Sequence, residues 1–196
     1  MKRVISVVLL GLCLAGSAWA RDATPPSDGA MNPPAATALS TYQRFEMSPV
    51  TMGAPFAGQK GNEAAKTMLQ ANLDERVGKV LADWNAKAGE GGKTLRVQPE
   101  IRYVRFITGG KRFFAGGLAG GSSIMVKVRL TDAATGQVVG EPDFYQHANA
   151  VGAAWTFGAT DKTMLIRIAS MLRAYLQANY AAPAAVSISQ APEVED

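Results

Sequence analysis

Residues 109–123, GGKRFFAGGLAGGSS, gather six glycines, a basic pair and an aromatic pair into one short stretch. Three chemistries use such a mixture. A phosphate-cradling loop needs Gly, four residues, Gly, then Lys and Ser or Thr, ahead of a helix N-terminus. Gly116 and Gly121 have the spacing, but Ser122 stands where the lysine is required, and a strand pattern follows. The dinucleotide fingerprint fails on the same context. A membrane or partner tip is the second chemistry. Lys111 and Arg112 beside Phe113 and Phe114 set cations next to apolar rings, as an anionic lipid interface favours. The third reading is a glycine-rich hairpin loop whose phenylalanines fold back over the end of a sheet.

Four further cations form the next candidate. Arg96, Arg102, Lys127 and Arg129 alternate with apolar residues in two stretches of strand period. If those strands pair, the four share one surface with Lys111 and Arg112 at its end, and Glu100 is the one acid among them. Such a face would dock an anionic envelope partner: lipid phosphate, glycan phosphate or an acidic protein. An ordinary solvated face, whose charges discourage edge aggregation, is the competing reading.

Classical catalytic chemistry finds little support. His147 is the one histidine, with Asp143 the one nearby acid in sequence, and no G-x-S-x-G marks a serine nucleophile. No metal site, cofactor or enzymatic activity is expected. Trp155 and Phe157 could line a groove for a small molecule or lipid, or plug the edge of the core.

The elements that must position these residues follow from periodicity. Phe45 and Met47 alternate with Arg44, Glu46 and Ser48, giving a first strand that Pro49 limits. Leu69, Leu73, Val77, Val80, Leu81 and Trp84 form one helical stripe, with Asn62 as N-cap and Gly89 as terminator. Leu95, Val97, Ile101 and Tyr103 then point to one side of a strand, and Arg96, Gln98, Glu100 and Arg102 to the other. Ile124, Val126, Val128 and Leu130 line the next strand, and the hairpin DAATGQ lets Gly136 take positive φ. Pro142 places the following strand at or near a sheet edge. Thr160 opens a last helix with Leu165, Ile168, Ala169, Leu172 and Leu176 as its stripe. The order β-α-β-β-β-α predicts an α+β two-layer sandwich: a mixed four-stranded sheet with two helices on one face. The first two strands are parallel through a right-handed crossover.

The ends of the chain speak to address. Lys2 and Arg3, an apolar run and Ala18–Ala20 read as an export signal over residues 1–20, cleaved near Ala20. Leu12 before Cys13 is wrong for a lipobox, so a typical lipoprotein is not expected. Loss of that segment removes the one cysteine and, since it holds Lys2, Arg3 and no acid, takes the formal charge from +4 to +2. That is too little for a nucleic-acid binder. Residues 21–40 and 181–196, rich in Pro, Ala and small polar residues, read as a disordered linker and tail around one domain at 41–180.

Arg112–Phe113, Gly116 to Gly121, the alternation from Ile124 to Leu130, and Asp132 with Thr135–Gly136 form a pattern of basic–aromatic pair, glycine run, strand and D-x-x-T-G hairpin. Residues 109–139 thereby resemble the bacterial envelope family called domain of unknown function 4410, more loosely over residues 42–180. Many relatives in that family look like lipoproteins. The resemblance implies no activity, catalytic residue or cofactor. The expectation is a periplasmic or outer-envelope interaction module, able to make peripheral membrane contact. It would bind an envelope protein, an anionic polymer or a lipid head group through Lys111, Arg112, Phe113, Phe114, Arg96, Arg102, Lys127 and Arg129. The alternative is a periplasmic carrier using Trp155 and Phe157.

Overall fold

The computed structural model describes residues 26–189 apart from residue 90, residues 107–120 and residues 149–158. In chain order the described elements are β1 (Met31–Asn32), a 3-10 turn (Leu39–Thr41), β2 (Arg44–Met47), β3 (Thr51–Met52) and α1 (Lys60–Leu73). A π-helical turn (Asp74–Gly78), α2 (Lys79–Lys87), β4 (Thr94–Arg105), β5 (Ser122–Asp132) and β6 (Val138–Gly140) follow. The order closes with β7 (Asp143–Ala148), α3 (Ala159–Ala181) and β8 (Val186–Ser187).

The long hairpin β4–β5 is the centre of the sheet. β5 alternates throughout and β4 as far as Ile101, so Leu95, Val97, Ile101, Ile124, Val126, Val128 and Leu130 lie on one side and are buried. β2 and β3 both run parallel to β4, as two pieces of one strand broken at Pro49. β6 and β7 both run antiparallel to β5, broken in the same way at Glu141–Pro142. Six strands by hydrogen bonding therefore make the four-stranded mixed sheet that the sequence predicts; Pro49 and Pro142 fall at the breaks of the outer strands, whereas Pro99 lies within central β4, opposite Val128. Helices α1–α2 and α3 bring Leu69, Leu73, Val77, Leu81, Leu165, Ile168, Leu172 and Leu176 onto its buried face. The result is a two-layer α+β domain.

The first helical stripe has an unusual spacing. Ala65, Leu69, Leu73, Val77 and Leu81 are all buried, each four residues from the last. In an α-helix of 3.6 residues per turn, steps of four drift by about 40° each. The wide π-helical turn at Asp74–Gly78 absorbs that drift, so the seam stays facing the sheet.

Several expectations are corrected. The helix begins at Lys60, not Asn62; Asn62 lies inside its first turn and donates to the Phe56 carbonyl at 3.0 Å. It ends at Lys87 with extended Ala88 as cap, so Gly89 does not terminate it. Tyr103 does not continue the inward row. The register slips between Ile101 and Tyr103, so one extra residue on β4 faces β5, and Val104 takes the buried position. α3 starts at Ala159, one residue ahead of Thr160.

The expected linker and tail are also corrected where they are described. Within 21–40, Asn32, Ala35 and Leu39 are buried. Within 181–196, Val186 and Ser187 pair antiparallel with Met31 and Asn32. Composition missed this because the bonds are backbone bonds, which small residues make as well as large ones. Asn179, fully buried, ties the two segments together. Its Oδ1 accepts from the Ala35 and Ala184 N–H groups, and its Nδ2 donates to the Tyr175 and Ala184 carbonyls.

Candidate functional site

Alternation along β4 and β5 puts the uneven-burial side chains on the face away from the helices. Arg96, Arg102, Lys127 and Arg129 all sit there, as the spacing requires. The hairpin brings them onto one surface, but it does not bring them together as bare cations. Each has a carboxylate partner. Arg96 Nε lies 3.4 Å from Glu46 Oε2 on β2, and Arg102 Nη1 lies 3.1 Å from Glu100 Oε1. Lys127 Nζ lies 3.4 Å from Asp143 Oδ2 on β7, and Arg129 Nε donates to Glu141 Oε1 at 2.7 Å. Glu100 is thus not the one acid on the surface: Glu46, Glu141 and Asp143 arrive from the flanking strands. Sequence reading missed them because they lie up to fifty residues away from their partners. The signal available was the alternation of Glu46 with Phe45 and Met47.

The electrostatics follow. Four cations and four anions cancel over these positions, leaving a patterned surface with little net field. The Arg129 hydrogen bond holds the Glu141 carboxyl below its ordinary range, with the charges of Arg129 and Lys127 adding to it. Asp143 differs from the other acids, for its Oδ1 is buried with no hydrogen-bond partner among the described residues. The Lys127 ammonium, 3.4 Å from Asp143 Oδ2, offsets its charge.

The same face changes character towards its other end. By register, Tyr103, Met125 and Tyr145 form a row across β4, β5 and β7, next to the Ser123–His147 row. Phe56 packs edge-on against Tyr103 at 5.5 Å, and Tyr145 stacks with His147 at 6.0 Å. Burial raises the Tyr145 phenol above its usual pKa, partly offset by a hydrogen bond with Ser123. His147 is an exposed strand residue.

Asp132, matched in the D-x-x-T-G pattern, has a structural task. Its Oδ1 accepts from the Ala134 and Thr135 N–H groups, at 2.9 and 3.0 Å, and Gly136 turns the chain at φ 72°. The hydrogen bond from the Thr135 N–H is the largest influence on the Asp132 carboxyl and lowers its pKa. The motif closes the β5–β6 turn.

Lys111, Arg112, Phe113, Phe114, Trp155 and Phe157 lie outside the described residues. An aromatic cluster that the sequence did not announce stands elsewhere: Trp84 stacks on Tyr180 at 4.2 Å and meets Phe45 at 4.9 Å. Among the described residues, no three His, Cys, Asp or Glu side chains are placed to hold a metal ion. Among them, no helix is long and apolar enough to cross a membrane.

No family model matches the chain, and no curated protein matches it, so membership of domain of unknown function 4410 is not shown. Solved structures with a similar course exist. A PelC dodecamer from Paraburkholderia phytofirmans is 10% identical over 71% of this chain and 94% of that one, with a TM-score of 0.39. A Xanthomonas campestris protein of domain of unknown function 330 is 10% identical over 69% and 86%, with a TM-score of 0.41. A candidate lipoprotein from Caulobacter crescentus is 14% identical over 72% and 88%, with a TM-score of 0.36.

Proposed function

We propose that the chain is an exported, non-catalytic interaction module whose docking surface is the sheet face away from the helices. The observation that carries this reading is the pairing of Arg96, Arg102, Lys127 and Arg129 with Glu46, Glu100, Asp143 and Glu141 on that face. An anionic polymer or lipid head group would have to displace four built-in carboxylates. A folded protein with its own alternating charges could instead exchange partners pair for pair, which fixes register more than it adds affinity. The partner is therefore an envelope protein of mixed surface charge.

Site-specific photo-crosslinking in cells exporting the chain tests this. A crosslinker at Gln98, between the ion pairs, should give one discrete adduct, and the double variant Lys127→Glu/Arg129→Glu should abolish it while the circular dichroism is unchanged. A crosslinker at Arg173, exposed on α3, should give none. An adduct from Arg173 alone would move the docking surface to the helices. Binding of the purified chain to phosphatidylglycerol vesicles, lost in the same double variant, would replace a protein partner with a lipid surface.

A further inference from the structure

The seam between β7 and α3 is closed by the last described segment of the chain, Ala184–Ser189. Its bonds are almost all made by its backbone. Ala184 N–H and C=O both engage the Asn179 amide at 2.9 Å. Val186 and Ser187 pair with Asn32 and Met31. The Ile188 N–H donates to the Ala30 carbonyl, and the Ile188 carbonyl accepts from the Tyr145 N–H at 2.9 Å. The Ser189 carbonyl accepts from Gln146 Nε2 at 2.7 Å. The groups on the receiving side are deeply set: Asn32, Gln146 and Asn179 are all buried polar residues, with Met171 beneath Gln146.

The segment itself is anchored differently. Its side chains are small or half-exposed, and none of the six is fully buried. Its attachment to α3 is Ala182–Pro183, exposed like Ala181 before it. Hydrogen bonds of this kind are individually weak in net terms, and of the segment's side chains Val186 packs against the core without being fully buried. The receiving side reads an extended backbone with small side chains, the mode by which a strand is added to a sheet edge.

We infer that this seam is a strand-receiving seat, and that residues 184–189 of a second copy can take the place of the resident segment. The fit is on the page because every copy carries the segment that matches the seat bond for bond. The two-residue hinge Ala182–Pro183, whose proline disfavours helical continuation, is the kind of short connection at which exchange occurs. The exchange is reciprocal: each copy donates its segment and receives the other's. It is independent of the docking face proposed above, for it uses a sheet edge rather than that surface.

The Met31–Ser187 pairing supplies the test. The export-processed chain is made without Cys13, in three forms: Met31→Cys, Ser187→Cys, and both together. The double variant should oxidise within one chain, which shows that the pair accepts a disulfide. The two single variants, differently tagged and mixed at high concentration, should give a disulfide between unlike chains, because only an exchanged segment brings the two positions together. Thr41→Cys, exposed and distant in sequence, replaces Met31→Cys as control and should give at least tenfold less. No unlike-chain disulfide, with the double variant closing normally, would overturn the inference. So would a yield equal to that of the Thr41→Cys control.

Discussion

The two outer edges of the sheet are closed by the same chemistry from different sources. On the β2 edge, the Asn85 amide accepts from the Phe45 N–H and donates to the Phe45 carbonyl, at 2.8 and 2.9 Å. On the β7 edge, the Asn32 amide does the same to Asp143, at 2.8 Å in each direction. In both, a side-chain amide stands in for a neighbouring strand and occupies groups that would otherwise template aggregation. Asn85 comes from α2, held down by Leu81 and by the Phe45–Trp84–Tyr180 cluster. Asn32 comes from β1, whose strand bonds run to Val186 and Ser187. One closure is fixed to the core, and the other is fixed to a removable piece. The difference separates an edge that is sealed from one that is only occupied.

The sharpest way to break the comparison is Asn179→Ala. It removes the partners of two N–H groups and two carbonyls around a fully buried position. A loss of about 3 kcal/mol is expected from the unsatisfied buried groups, read as a lower urea midpoint. Alkaline titration should come next. Burial pushes the Tyr175 phenol up to about 12, and its Oη donates to the Pro33 carbonyl at 3.1 Å. The folded form holds that proton more tightly than the unfolded chain. The resulting stability is complete below about pH 10 and is lost as pH rises towards 12, by about 2 kcal/mol. Tyr175→Phe should remove most of that decline, measured by urea denaturation from pH 9 to 12.

The edges themselves can be compared directly. Asn85→Ala should cost about 1.5 kcal/mol of global stability. Asn32→Ala should instead act locally: hydrogen exchange at the Asp143 and Tyr145 amides rises about tenfold, while the urea midpoint moves less than for Asn85→Ala. Equal midpoint shifts would erase the distinction. The smallest effects belong to the charged face. Arg129→Ala removes an exposed pair and should cost about 0.5 kcal/mol or less. Lys127→Ala leaves the buried Asp143 oxygen uncompensated and should cost about 1 kcal/mol.

What was legible in the sequence is what periodicity encodes. Leu95 to Ile101 and Ile124 to Leu130 announce their face, and Pro49 and Pro142 announce outer strands. Alternation cannot see an added residue, so it carried Tyr103 past the slip at Arg102 onto the wrong face. It cannot choose partners either. Nothing near Arg96 in sequence points to Glu46, and nothing near Phe45 points to Asn85. The terminal segments were misread for a related reason. Composition measures how much apolar surface a stretch can bury overall, whereas 26–40 is seated by two buried apolar residues, Ala35 and Leu39, and by hydrogen bonds, and 184–189 mainly by main-chain hydrogen bonds.

The π-helical turn carries a different consequence. A seam of fours along Ala65 to Leu81 needs one more residue than a regular helix would use to cover the same rise. The chain therefore holds spare length at Asp74–Gly78. Shortening it there by one residue would bring the downstream seam to a spacing of three at that turn, which an ordinary helix accepts. The first helix is therefore a place where a deletion should be forgiven.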